Sequence, residues 1–290
     1  MGGDSSSVAS LLTTGVVQVV ATDSAFAAIK DNGSVVTWGV WKHGGDSTAV
    51  ATFLAEGVVQ VCGNTGAFAA LKSNGSVVTW GDTFSSGISS LIALLLAKDV
   101  AQVCATSMNA FAAIKAYGIL VTWGSHFYGG DSSKVAPLLT EGVVQVCGTH
   151  GACAALLANG SVVTWGEDSV GGDSSKVATL LTEGVVQADG SVVTWGYDDY
   201  GGDHSPVAAL LTEGVVQVCG SGGACAAIKS GGSVVTWGDD SYGSDSSAVA
   251  ALLTEGVVQI CAGDMAFAAI KADGSVVTWG DSRDGGDSSA

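Results

Sequence analysis

A Thr-Trp-Gly triplet that returns seven times, with short β-prone runs ahead of each copy, predicts an all-β fold: a seven-bladed β-propeller with one blade truncated. The triplet tryptophans are Trp38, Trp80, Trp123, Trp165, Trp195, Trp237 and Trp279, so successive spacings are 42, 43, 42, 30, 42 and 42. Composition is the third observation. Forty-three glycines, two prolines and 47% hydrophobic residues describe a globular chain, neither disordered nor collagen-like. Residues 1–290 therefore read as a single propeller domain, its repeats ending near the seven tryptophans.

Residues 44 to 81 form one complete repeat. Its β-prone runs are Val58 to Cys62, Ala67 to Lys72 and Ser76 to Trp80, with Asn74-Gly75 as a hairpin turn that recurs as Asp273-Gly274. Valine pairs in the first and third runs place apolar side chains on both faces, as a strand between neighbouring sheets requires. Ahead of them, Asp46-Ser47 fit the cap of a short helix through Ala55, ended by Gly57; an outer fourth strand is the rival reading. The chain opens on Gly2-Gly3-Asp4-Ser5-Ser6 and closes on Gly285-Gly286-Asp287-Ser288-Ser289, the same phase of the period. On that basis Ser5 to Thr14 are expected to supply the outer element of the blade holding Trp279. In the 30-residue spacing, Gly184-Val185-Val186-Gln187 runs straight into Ala188-Asp189-Gly190-Ser191. The blade of Trp195 is expected to lack a strand and to expose an edge.

The order of pieces resembles a known family. Gly256-Val257-Val258-Gln259-Ile260-Cys261-Ala262-Gly263, then Ala266 to Lys271, then Asp273-Gly274-Ser275-Val276-Val277-Thr278-Trp279-Gly280 is similar, piece by piece, to the RCC1-like repeat, including the short-repeat type of bacterial β-lactamase-inhibitor propellers. The resemblance covers essentially the whole chain. It implies a seven-bladed propeller used for protein binding, in members ranging from guanine-nucleotide exchange factors to enzyme inhibitors and segments of ubiquitin ligases. The family's second-strand histidine is replaced by Ala25, Ala67 or Ala266, and there is no basic tail, so no family active-site residue carries over.

No catalytic, metal or cofactor site emerges from the residues. Cys62, Cys104, Cys147, Cys219 and Cys261 all end the first run, where a small buried hydrophobe is expected, and Cys153 and Cys225 replace a phenylalanine of the second run. Cys147 with Cys153, and Cys219 with Cys225, are pairs that a hairpin brings near disulfide range, although an odd count and no secretory signal favour thiols. His43, His126, His150 and His204 lie in different repeats. The GGDSS aspartates and serines recur as turn and cap residues would, and the Asn-Gly-Ser sequons at Asn32, Asn74 and Asn159 occupy the hairpin turn. Met1-Gly2-Gly3-Asp4-Ser5-Ser6 matches a myristoylation pattern but is the repeat's own phase.

Ten basic against 27 acidic residues give a net charge of −17, which argues against nucleic acid and anionic membrane as partners. The longest wholly apolar run, Leu91 to Ala97, is too short to span a bilayer, and a cytoplasmic monomer is expected. In an antiparallel blade, the loops after the first and third strands emerge on one side. That side holds 18 of the 27 acidic residues against Lys42 and Arg283 only; Lys30, Lys72, Lys115, Lys229 and Lys271 fall on the other side with Glu56, Glu141, Glu183, Glu213 and Glu255. The four residues after each Thr-Trp-Gly vary between repeats and carry aromatics, the residues of interface anchors, whereas the opposite side is monotonous. The candidate partner-binding residues are Trp41, Phe84, Phe127, Tyr128, Asp198, Asp199, Tyr200, Asp239, Asp240 and Tyr242. The function expected is non-enzymatic: a scaffold taking a protein partner with a basic surface. The alternatives are a regulator of a small GTPase, an enzyme inhibitor, or a propeller segment of a larger ubiquitin-ligase-like protein.

Overall fold

Alternating small and large apolar residues in the second run, as in Ala67-Phe68-Ala69-Ala70-Leu71-Lys72, make a middle strand that serves a different neighbour with each face. The computed structural model describes residues 3–86, 90–149, 151–175, 181, 192, 194–196 and 202–287. The described residues contain six three-stranded antiparallel sheets, each with its strands in sequence order. They are Val16–Ala21, Ala25–Lys30 and Val35–Gly39; Val58–Gly63, Ala67–Lys72 and Val77–Gly81; Val100–Ser107, Ala110–Lys115 and Leu120–Gly124; Val143–Gly148, Ala152–Leu157 and Val162–Gly166; Val215–Gly220, Ala224–Lys229 and Val234–Gly238; and Val257–Ala262, Ala266–Lys271 and Val276–Gly280. The middle strand matches its sequence reading residue for residue. The third begins one residue late, because Asn74 Oδ1 accepts from both the backbone N–H and the hydroxyl of Ser76 and keeps it in the turn.

The chain divides into two compact units, Met1–Asp173 and Ser174–Ala290. In the first, Ala25, Ala27 and Ile29 of one sheet pack against Phe68, Ala70 and Trp80 of the next, with Val58 and Val61 between them. Small residues on one face therefore receive large ones from the following face. In the second unit, Ala224, Ala226 and Ile228 pack in the same way against Phe267, Ala269 and Trp279. Within a sheet, Phe68 stands opposite Trp80 with ring centroids 5.2 Å apart, and Phe267 opposite Trp279 at 5.4 Å. Backbone bonds stitch the repeats together: the hairpin-turn carbonyl of Gly33 accepts from Val58 N at 2.9 Å, as Gly75 does from Val100 and Gly232 from Val257.

The outer element is helical. Ser6–Leu11, Ser133–Leu138, Ser205–Leu210 and Ser247–Leu252 are 3-10 turns, Thr48–Val50 is one that runs into the α-turn Ala51–Leu54, and Ser90–Leu95 is α-helical. The repeat's aspartate caps it: Asp46 Oδ1 accepts from Thr48 N at 2.9 Å, and Asp4, Asp131, Asp203 and Asp245 do the same in their repeats. Those bonds hold all five carboxyls below the ordinary aspartate range. The leucine after the element lends its carbonyl to the preceding third strand in several repeats: Val77 N donates to Leu96 O at 2.9 Å, Leu120 N to Leu139 O at 3.1 Å and Val234 N to Leu253 O at 2.9 Å. Val192 N donates to Leu211 O at 3.0 Å in the same way. The rest of the 30-residue spacing, from 182 to 191, lies outside the described residues, and so does the edge expected there.

Two expectations are corrected. The first-run valine pair is not buried on both faces, because a bulge leaves Val59 without a partner between Val58 opposite Lys72 and Gln60 opposite Leu71. Val59 and its counterparts Val17, Val144, Val216 and Val258 are consequently exposed. The first-run cysteine position is not uniformly buried either: Cys147 and Cys261 are exposed, while Cys62, Cys104 and Cys219 are half-buried. All seven cysteines are free thiols. Cys147 lies opposite Ala154, the strand neighbour of Cys153, so the two thiols project from opposite faces of the sheet and the hairpin pair cannot close.

Candidate protein-binding face

The loops after the first and third strands meet at one end of every described sheet. Asp82 N donates to Gly66 O at 2.9 Å, Ser125 N to Asn109 O at 2.8 Å and Asp239 N to Gly223 O at 3.0 Å. The glycine of each triplet permits this approach: Gly81 has φ +111°, and a Cβ there would stand 2.6 Å from Gly66 O. The loop after the third strand is a short helical turn, 3-10 in five described copies and α in Thr83–Ser86. Trp41–His43, Thr83–Ser86, His126–Tyr128, Asp168–Val170, Asp240–Tyr242 and Ser282–Asp284 are its six described copies. A second clamp comes from the first loop: Thr22 Oγ1 donates to His43 O at 3.1 Å, Asn64 Nδ2 to Ser85 O at 3.0 Å and Ser221 Oγ to Tyr242 O at 2.8 Å. The following repeat adds a third, since Trp80 Nε1 donates to Gly44 O at 3.0 Å and Trp165 Nε1 to Gly129 O at 2.9 Å. The turns are thus held before any partner arrives, which lowers the entropic cost of binding.

This construction sorts the sequence candidates. Trp41, Phe84 and Phe127 project outward from repeats one, two and three, 67%, 56% and 64% exposed. Lys42 Nζ lies 5.2 Å from the Trp41 ring, and the His126 ring lies 3.9 Å from Phe127. Tyr128 and Tyr242 close their turns and are half-buried, and Tyr242 packs on the core of the second unit. Tyr128 and Tyr242 thus offer a partner less surface than Trp41, Phe84 and Phe127 do. Asp198, Asp199 and Tyr200 lie outside the described residues.

The acidic residues have a structural duty that sequence reasoning missed. Asp239 Oδ1 accepts from Ser241 N at 2.7 Å, Asp82 Oδ2 from Ser85 N at 3.1 Å and Asp281 Oδ1 from Arg283 N at 2.8 Å, so an acid directly after the triplet caps the turn. The clue was an aspartate followed two or three residues later by a small or polar residue. Asp281 also takes two bonds from the Arg283 guanidinium, which hold its carboxyl at about 2. Asp240 is exposed and accepts from Ser244 Oγ at 2.6 Å. Among the described residues, no three His, Cys, Asp or Glu side chains are grouped to hold a metal ion, and no helix is long and apolar enough to cross a membrane.

No protein-family model and no curated protein matches the sequence. Solved structures do match the fold. Human WBSCR16 superimposes with a TM-score of 0.53 at 15% identity, covering 93% of this chain and 77% of that one. Prp20p from Saccharomyces cerevisiae, in a structure described with its binding properties to Gsp1p and histones, gives 0.51 at 13% identity over 91% and 72%. Yeast RCC1 (Prp20) bound to Kap60 gives 0.51 at 14% identity over 93% and 70%. The fold is the RCC1-like β-propeller.

The opposite end of this RCC1-like propeller is built differently. Lysines that end the middle strands are tied to the outer element: Lys30 Nζ donates to Leu11 O at 2.6 Å, Lys72 to Phe53 O at 2.6 Å, Lys115 to Leu95 O at 2.6 Å and Lys271 to Leu252 O at 2.8 Å. They satisfy carbonyls left open where a helical turn ends. These four lysines are therefore engaged in the fold. His43 has a similar role on the loop face, its Nδ1 lying 2.6 Å from Ser24 Oγ.

Proposed function

We propose that this chain is a non-enzymatic binding propeller that takes a basic protein surface on the loop ends described above. One observation carries the reading: three large aromatics, Trp41, Phe84 and Phe127, stand exposed on clamped turns of adjacent repeats, among carboxylates that include Asp23, Asp46, Asp82 and Asp131. Aromatic anchors rimmed by charge are what binding hot spots use. Two further points support it. Net charge is −17, and the structurally similar Prp20p is described as binding histones. The same charge favours a monomer. Regulation of a small GTPase by the same face is the second reading; it follows from the RCC1-like fold, and accelerated nucleotide release from a GTPase would favour it.

Core histones serve as the basic probe. Wild-type chain immobilised at low salt should retain them, and a Trp41→Ser, Phe84→Ser, Phe127→Ser variant should lose at least about tenfold in affinity, the order expected for losing desolvated aromatic anchors. Retention unchanged by the triple substitution would leave only non-specific charge attraction and would remove the proposal.

A further inference from the structure

The loop-face turns of repeats six and seven, Asp240–Tyr242 and Ser282–Asp284, are built alike. Asp239 and Asp281 precede them with φ −80° and −64° and ψ 128° and 126°, and Gly243 and Gly285 end them at φ 95° and 93°. Each aspartate caps its turn, Asp239 Oδ1 accepting from Ser241 N at 2.7 Å and Asp281 Oδ1 from Arg283 N at 2.8 Å. What sits on the carboxylate differs. In repeat seven the Arg283 guanidinium lies across it, Nε donating to Oδ1 at 3.1 Å and Nη2 to Oδ2 at 2.8 Å. In repeat six the same position is Ser241, which is exposed and too short to reach back in that way.

The clasp on Asp281 is made at the surface. The Arg283 side chain is 83% exposed and that of Asp281 19%, so the turn walls the carboxylate and the guanidinium comes to it from the solvent side. A guanidinium belonging to another molecule has the same approach to Asp239. Two parallel bonds from a planar fork are a geometry that an ammonium, a point charge, does not reproduce. A single exposed ion pair is otherwise worth little, and the bidentate fork is the exception. The surroundings of Asp239 favour a cation further. Asp240 is exposed where repeat seven has Ser282, and no lysine or arginine falls between Lys229 and Lys271. A Cβ on Gly222 would stand 2.7 Å from Asp264 Oδ1 and 3.0 Å from the Tyr242 ring, so an exposed carboxylate from repeat seven lies against the same turn, beside an aromatic ring of the kind a guanidinium stacks on.

We infer that the partner of the loop face is read through its arginines, one guanidinium resting on Asp239 as that of Arg283 rests on Asp281. The inference rests on the proposal of a basic partner and narrows it: the segment that docks at repeat six carries arginine, although lysine would match the charge equally. Repeat seven supplies its own arginine, so its cap is closed to a partner, and repeat six is the open copy.

The test uses the full chain and two fluorescein-labelled peptides, one alternating arginine with serine and the other alternating lysine with serine at the same length and charge, followed by anisotropy. Wild type should bind the arginine peptide at least about threefold more tightly. Ser241→Arg gives repeat six the residue of repeat seven and should bring the ratio of the two affinities towards one. Arg283→Ser gives repeat seven the residue of repeat six and should widen it. A change in net charge acts on both peptides alike, so the ratio reports the fork. Each variant carries what the neighbouring turn already folds with, and its circular dichroism should match wild type. Equal affinities of wild type for the two peptides would overturn the inference and leave the basic-partner reading standing, whereas binding of neither would overturn both. A preference for arginine that neither variant moves would also overturn it, because the contact would then lie elsewhere.

Discussion

Gly81→Ala should destabilise the first unit far more than Gly142→Ala, although both glycines have positive φ. Gly142 has φ +74° and no atom within 4 Å of the position of a Cβ, so alanine there meets only the left-handed penalty, about 1–2 kcal/mol. Gly81 has φ +111°, in a region that costs roughly 1–3 kcal/mol for a residue with a side chain. Its Cβ would also stand 2.6 Å from Gly66 O and 2.8 Å from Ala67 Cα, both backbone atoms that no rotamer change can move aside. Relieving that clash separates the two loops and loses the 2.9 Å bond from Asp82 N to Gly66 O, a further ~0.5–1.5 kcal/mol. Together these contributions come to about 1.5–4.5 kcal/mol. Urea unfolding followed by tryptophan fluorescence measures both variants, with the midpoint shift compared at unchanged slope. Equal losses would refute the claim that the triplet glycine exists for close loop approach.

Three other outcomes follow from the same structure. Burial raises the Cys104, Cys153 and Cys225 thiols to about 11, so alkylation at pH 8 should label exposed Cys261 well before buried Cys153, as peptide mass mapping would show. Asp281 is held at about 2 by Arg283, so the stabilisation from that clasp is present above the ordinary aspartate value and is lost as pH falls through about 2; carboxyl NMR should show this, and Arg283→Ala should return the titration towards the ordinary value. In the 30-residue spacing, where the middle run is missing from the sequence, amides of residues 192–195 should exchange faster than those of Val276 to Trp279, and equal protection would contradict the expected loss of a strand.

Much of the fold was legible because it repeats. Ala67 to Lys72 reads as a strand from its alternation alone, and the tryptophan spacing gives the sheets their period. The misreadings came from features without a periodic signal. A bulge turned Val59 outward, and nothing in a valine pair announces a bulge. Tyr242 and Trp41 occupy one variable loop type, yet only the structure shows Tyr242 packed on a core while Trp41 faces water. The sequence placed Lys72 at the end opposite the acidic loops but did not show its bond, because its acceptor, Phe53 O, is nineteen residues away. Leu91 figured only in an apolar run and Tyr117 not at all, since their exposure depends on a helix face and a turn conformation that composition does not encode.

Association kinetics of core histones, measured across a salt series, test the loop-face assignment most directly. Changing Asp198, Asp199, Asp239 and Asp240 to asparagine should slow association at low salt with an effect that fades at high salt, because screened charge steers encounter. Trp41→Ser with Phe127→Ser should instead speed dissociation, since anchors act once the complex has formed. Glu213→Gln with Glu255→Gln, at the other end of the sheets, should leave both rates near wild type. If that last pair abolished binding while the aspartate and aromatic variants bound normally, the partner would be using the opposite end and the assignment would be wrong.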